Sequence, residues 1–349
     1  MEKPPERETG EPQAWLALAR MIMGAWVPQA IYTAVSLGIF EHLHTGPRSG
    51  PEIATELGVP LATTRRLLRA LVSLGLCTAP EPDVVALTPR GRLLCTETPG
   101  SMRSQALFRG QERVWSAWGR LLDVVRTGKP VPELVAGKSL YEWLAEDPDG
   151  ATVFNQAMTE MSIIQAQMIA DACDFADARM IVDVGGGYGG LVTALLARYQ
   201  GVRGVVFDRA ECRQGSERLL AGFGLSDRCR FVEGDFFEAV PRGGDVYLLK
   251  NVIHNWDDAR SVTILRACRT AMGRDARLLL IEPAVPVHIG ASLADTVAVG
   301  FDLQMLLLTT GCERTERQYR SLLEAAGFEE TRLVPTSSAL NLIEAYRMA

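Results

Sequence analysis

Residues 179–198 read RMIVDV, GGGYGG, LVTALLAR: a short apolar run breaks into a glycine cluster and passes at once into helical spacing. A strand that ends in glycines and is followed directly by a helix opens a βα unit, and this commits the chain to an α/β sheet. The same pattern recurs. VRGVVFD (202–208), RFVEGD (230–235), VYLLKNVIH (246–254) and RLLLIEP (277–283) read as strands two to five, separated by helices near SERLLAGFG and SVTILRACRTAM. Strands this continuously apolar are covered on both faces, as in a parallel sheet. TRLVPT and NLIEAYRM close the series as a pair of strands.

Gly185, Gly187 and Gly190 satisfy G-x-G-x-x-G between strand and helix, and Asp208 ends the next strand 21 residues after Gly187. This is the dinucleotide fingerprint: the glycines let the backbone approach the ligand, and the acid accepts hydrogen bonds from ribose hydroxyls. By itself it fits NAD and S-adenosylmethionine (SAM) equally, because both carry an adenosine. Asp183, two residues before the first glycine, favours SAM, since a carboxylate there suits an ammonium and a sulfonium better than a pyrophosphate. Asp235 and Phe236, after the third strand, suit an adenine amine and ring. The alternatives for these positions are a plain tight turn and helix-capping acids.

The N-terminal part is built differently. Residues 1–14 are charged and proline-rich and read as a loose tail. Residues 15–100 carry a helix-turn-helix and a hairpin around Pro80 and Pro82, a winged-helix outline with an apolar stripe of Leu67, Leu68, Leu71, Val72 and Leu74. Arg65, Arg66 and Arg69 cluster on its second helix, where a DNA reader would need them. Yet residues 1–100 hold nine Lys plus Arg against ten Asp plus Glu, so the basic face that neutralises phosphates is missing, and a dimerisation module is the better reading. Residues 101–171 form a helical bridge whose aromatic and Met residues, Phe154 and Met158 among them, suit either a core or the lid of a pocket for a flat molecule. Residues 172–349 are the sheet domain, a Rossmann-like fold. The stretch Met21–Phe40 is long enough to span a bilayer but is interrupted by Pro28, Gln29, Thr33 and Ser36, and a subunit contact is expected there instead. Seven cysteines without close pairing, a net charge of −6 and no export signal are the profile of a soluble cytoplasmic protein with reduced thiols, binding neither nucleic acid nor membrane.

VIHNWDD (252–258) holds one of only four histidines. As the end of strand four it brings His254 to the carboxyl edge of the sheet, across from the glycine loop. Asp257 and Asp258 are expected to cap the following helix, and Lys250 to reach the cofactor or a neighbouring acid. Glu282 ends strand five, beside His254 if the two strands are neighbours. Glu313 precedes a helix that Thr315 and Gln318 begin in capping-box spacing. Two glutamates flanking one imidazole would orient it and raise its basicity, as a general base requires.

The ordered set D-V-G-G-G-Y-G, strand-ending Asp208, G-D-F-F, L-K-N-V-I-H-N-W, I-E-P and G-C-E-R-T resembles the SAM-dependent small-molecule O-methyltransferases of the caffeate and hydroxyindole type, including bacterial enzymes that tailor natural products. The resemblance covers nearly the whole chain. It implies an N-terminal winged-helix dimerisation domain, His254 as catalytic base with Glu282 and Glu313 assisting, and cofactor contacts from Gly185, Asp208, Asp235, Phe236 and Lys250. Asn255 departs from the acid usual there in plant members, which removes a charge next to the acceptor. Met305, in the segment 301–308, joins Phe154, Met158 and Asn255 as a substrate-lining expectation. No Asp and His cluster has metal-ligand spacing, so transfer without a metal is expected. Three rival readings remain: a SAM enzyme that does not methylate, a SAM-sensing winged-helix regulator, and an NAD dehydrogenase.

Overall fold

The computed structural model describes residues 11–336 and 340–347. The expected tail at 1–14 therefore falls largely outside the described residues, and Glu11 already opens a helix. The chain forms two compact units, Met1–Val114 and Trp115–Ala349.

In the first unit, the helices Glu11–Ile22 and Trp26–Ser36 are joined by a single 3-10 turn. Residues 12–36 are long and apolar enough to cross a membrane, by length and composition only. Trp15, Leu18, Met21 and Ile22 are exposed, so the first of the two helices presents apolar surface, whereas Ala34 and Val35 at the end of the second join the core. Gly50–Leu57 begins at a capping box, Ser49 with Glu52, and Leu61–Ser73 follows. Leu68 and Leu71 are buried, with Leu67, Val72 and Leu74 packed around them. Strands β1 (Arg48–Ser49), β2 (Cys77–Glu81) and β3 (Val84–Leu87) pair in the order β1-β3-β2. Pro80 lies within β2, and Pro82 and Asp83 make the turn. Arg65 is not free for phosphates: its Nε donates to Asp83 at 2.9 Å. The helix Arg103–Gly110 packs on Trp26–Ser36 with Gly110 against Tyr32.

The second unit carries the large sheet: β4 (Met180–Val184), β5 (Arg203–Asp208), β6 (Cys229–Glu233), β7 (Val246–Lys250), β8 (Arg277–Pro283), β9 (Glu330–Pro335) and β10 (Leu340–Tyr346). The order is β6-β5-β4-β7-β8-β10-β9, parallel through β8 and closed by two antiparallel strands. The order reverses between β4 and β7, the switch point at which ligands of open α/β sheets bind. Two buried clusters, one on each face, fill the layers between sheet and helices. The 25-residue helix Pro148–Ala172 lies so close to Gly190–Arg198 that a Cβ on Gly190 would stand 2.6 Å from the Thr159 carbonyl oxygen.

One expectation needs correcting. Strand four does not run to His254; β7 ends at Lys250, Asn251 turns with φ +52°, and Ile253–Asn255 is a 3-10 turn. The ladder stops because Glu282 Oε1 accepts the N–H groups of Val252 and Ile253, at 2.9 and 2.7 Å, in place of a backbone carbonyl.

Candidate active site

The glycine loop leaves β4 with Gly185 and Gly187 at φ +69° and +59°, a conformation that L side chains resist. Beneath it the Asp183 carboxylate is buried, 2.8 Å from where a Cβ on Gly186 would stand. Its Oδ2 has no hydrogen-bond partner among the described residues. Burial pushes the Asp183 carboxyl up to about 7, with Lys250 and the Val192 N–H working against that rise. An orphaned buried acceptor at the carboxyl edge of a wound sheet is a place for a donor or cation, which the methionine end of SAM supplies. Asp208 accepts the N–H groups of Gly187 and Arg209, both at 2.7 Å, and so fixes the loop as well as ending β5. Asp235 is exposed and accepts the Phe237 N–H at 2.8 Å. Phe236 lies 3.4 Å from a Cβ position on Gly185 and meets Phe237 and Trp256 edge-on, at 5.0 and 6.1 Å. These residues fit an adenosyl cofactor.

His254 emerges from the turn after β7. Its Nδ1 is 2.8 Å from Glu313 Oε1 and 3.6 Å from Glu282 Oε2, and all three side chains are buried. No described residue bonds Nε2. Glu282 Oε2 and Glu313 Oε2 likewise lack hydrogen-bond partners. Burial opposes protonation of His254, but the two glutamates outweigh it and hold the ring above the ordinary histidine value. Burial likewise pushes Glu282 up to about 7, against the pull of His254. The ligand atoms of the three residues lie within 4.8 Å of one another, a spacing that a cation could also use.

Arg314, fully buried, holds the turn in place by donating to the carbonyls of Ile253 and Trp256, at 3.2 and 2.7 Å, and to Asp258. Asp257 caps the helix Asp258–Ala271 as expected, whereas Asp258 is the counter-ion of Arg314. A Cβ on Gly311 would stand 2.1 Å from the His254 carbonyl oxygen, so the loop carrying Glu313 rests directly on the turn. The Glu313 N–H donates to Asp302 at 2.9 Å, and Thr315 with Gln318 forms the expected capping box.

Phe154 and Met158 are half-buried one turn apart on Pro148–Ala172. Between them lies Asn155, whose Oδ1 is 3.7 Å from a Cβ position on Gly187. Met305 is buried in Leu293–Leu308. Asn255 is buried, and its amide nitrogen donates to the carbonyls of Asn251 and Val252, at 2.9 and 3.3 Å. Sequence reading missed Arg314, Gly311, Asn155 and Asp302. The E-R-T motif contains Arg314, so the signal was present and its meaning was not.

A sheet edge whose loop and acids fit a cationic adenosyl cofactor, with a buried, carboxylate-held imidazole at the same edge, suits a group-transfer enzyme. Comparison with known proteins makes this specific. Residues 118–329 match an O-methyltransferase domain, and residues 19–97 an O-methyltransferase dimerisation domain. The chain is 38% identical to the phenazine O-methyltransferase PhzM of Lysobacter antibioticus over 94% of its own length and 95% of that protein's. It is also 38% identical to the mitomycin biosynthesis 6-O-methyltransferase of Streptomyces lavendulae, over 90% and 89%. Human N-acetylserotonin methyltransferase, crystallised in complex with SAM, superposes with a TM-score of 0.89 at 25% identity, covering 100% of both chains. The chain belongs to the O-methyltransferase family, and its cofactor is SAM.

Proposed function

We propose that the enzyme methylates a phenolic or enolic hydroxyl of a small aromatic or polyketide-like secondary metabolite, with His254 as general base and Glu282 and Glu313 assisting. The 2.8 Å contact of Nδ1 with Glu313 carries the reading. A hydrogen bond donated from Nδ1 to the carboxylate fixes the tautomer whose lone pair is at Nε2, the nitrogen with no partner among the described residues. A phenol of pKa ~10 is a poor nucleophile at neutral pH, and a positioned imidazole taking its proton contributes ~10²–10⁴-fold in rate. The imidazolium so formed is stabilised by two buried carboxylates. Bound SAM supplies the methyl group on a sulfonium, an electrophile needing no further activation. Asp183, Gly185, Gly187, Asp208, Asp235, Phe236 and Lys250 would hold it, and Phe154, Met158 and Met305 would supply apolar lining for the acceptor. The first unit would pair two copies of the chain into a homodimer through its exposed apolar helix, and no metal, nucleic acid or membrane is needed.

Replacing His254 by Gln tests this directly. Turnover on a phenolic acceptor should fall at least ~10²-fold while SAM binding, measured by calorimetry, persists. Unchanged turnover would remove His254 from the mechanism, and SAM that binds but donates no labelled methyl would favour a non-methylating enzyme.

A further inference from the structure

Glu282 lies at the end of β8, His254 in the turn after β7 and Glu313 in the loop before the helix Glu316–Ala325, so three separate segments each deliver one side chain to a single buried point. Their ligand-type atoms lie within 4.8 Å of one another. Nδ1 of His254 stands 2.8 Å from Glu313 Oε1 and 3.6 Å from Glu282 Oε2. In a four-coordinate zinc site, with metal–ligand bonds of about 2.0–2.1 Å, the ligand atoms stand roughly 3.3 Å apart. The two measured separations bracket that spacing. Hydrogen bonds account for only one oxygen of each carboxylate: Glu282 Oε2 and Glu313 Oε2 are buried acceptors with no hydrogen-bond partner among the described residues. Buried anions left short of donors invite a cation. The set is also held from outside, as metal ligands are. Glu282 Oε1 is pinned by the Val252 and Ile253 N–H groups, which leaves Oε2 for the ring, and Asp302 holds the Glu313 N–H.

We propose that His254, Glu282 and Glu313 form a zinc site that silences the enzyme by capturing Nδ1. A metal there takes the Nδ1 lone pair, so the neutral ring must carry its proton on Nε2. One proton leaves Nδ1 for solvent, another is taken up at Nε2, and none is gained overall. The nitrogen that would accept the hydroxyl proton has then become a donor. The glutamates pass from orienting a base to holding an ion. An imidazole with carboxylates suits Zn²⁺, a water completing the four ligands, whereas Mg²⁺ asks for six oxygens. The site itself stands on its geometry; only the loss of turnover rests on the reading of His254 as the base.

The test uses the whole enzyme, freed of metal with a chelator. Zn²⁺ is titrated by calorimetry into the wild type, Glu282→Gln, Glu313→Gln and Cys312→Ser, and NMR spectra of nitrogen-labelled histidine are recorded alongside. The His254→Gln spectrum identifies the ring at issue among four imidazoles. In the wild type one Zn²⁺ per chain should bind, turnover should be lost as the site fills and return with chelator, and Nε2 of His254 should change to a protonated nitrogen. Mg²⁺ should do none of these. Each Gln variant should bind about 10²-fold more weakly or worse, since even partners outside the ligand shell are worth 10–100-fold. Cys312→Ser, which removes the exposed thiol beside Glu313, should bind as the wild type does. Zinc that leaves the wild-type His254 signals unmoved overturns the site, and so does undiminished binding at that ring in both Gln variants. The wild-type spectrum decides even if a variant fails to fold. A ring that takes zinc while turnover persists would leave the site standing and remove His254 from the mechanism, so the two readings fail separately.

Discussion

Arg314 Nη2 donates to the Trp256 carbonyl at 2.7 Å from inside the protein, although its acidic partner Asp258 is exposed. Its work is therefore on the turn that carries His254 more than on an ion pair. Arg314→Met strips its donors from two buried carbonyls, leaving Ile253 the Trp256 N–H and both the Ser261 hydroxyl at 3.3–3.4 Å, and should cost about 1–3 kcal/mol of stability, read as a lower melting temperature, with kcat falling further than KM rises. A melting temperature within experimental error of the wild type would show that the turn holds itself.

The rate should depend on pH through His254. The base must be neutral, and its two glutamates raise its pKa, so activity is lost as pH falls, with a midpoint above the ordinary value of about 6.5. Glu313→Gln removes one of those anions. The acid limb of kcat/KM should move to lower pH and the plateau rate drop roughly ten-fold as the base weakens. An unmoved acid limb would exclude Glu313 from this role.

Asp183 should cost the free protein stability. Its folded pKa of about 7 lies above the ordinary carboxylate value, so the stability it contributes at low pH is lost as pH rises through 7. Asp183→Asn should therefore unfold later than wild type at pH 8, by roughly 1–3 kcal/mol, and gain nothing below pH 4. SAM affinity should fall by about ten-fold or more, because the variant offers no anion. Equal affinity in a calorimetric titration would contradict the placement of the cofactor over Asp183.

Although His254, Glu282 and Glu313 stand close enough to share a cation, proton transfer asks for none. Dialysis against a strong chelator should leave turnover within about 10% of the untreated enzyme, because transfer of a methyl from a sulfonium needs no Lewis acid. Loss of activity that Mg²⁺ or Zn²⁺ restores would overturn the metal-free reading.

Leu18 and Ile22 lie one turn apart on the first helix and are both exposed. Charges placed there, Leu18→Glu with Ile22→Glu, should turn a dimer into a monomer by light scattering, since an apolar face of this size seeks a partner. A dimer that survives both substitutions would place the interface elsewhere.

The turn and strand ends of the candidate cofactor site were legible because their signals are local: a strand, three glycines and acids at strand ends lie within a few residues of what they build. His254 and Glu282 were legible because adjacent strands bring their ends together. Less could be read beyond the end of β7. LLKNVIH keeps an apolar, strand-like run, and only a side chain thirty residues away, Glu282 taking the Val252 and Ile253 N–H groups, stops the ladder at Lys250. The parts of Arg314 and Asn155 depend on contacts 58 and more residues apart or on packing of one helix over a loop, which no periodicity encodes.

Gly311 narrows the routes by which such an enzyme acquires a new acceptor. With the peptide of one loop lying flat on the peptide of the other, even an alanine would lift Glu313 away from the ring, so heritable change beside the base is barred at 311. It remains open next door at the exposed Cys312, and a laboratory library aimed at altered acceptors is better spent there than on the glycine.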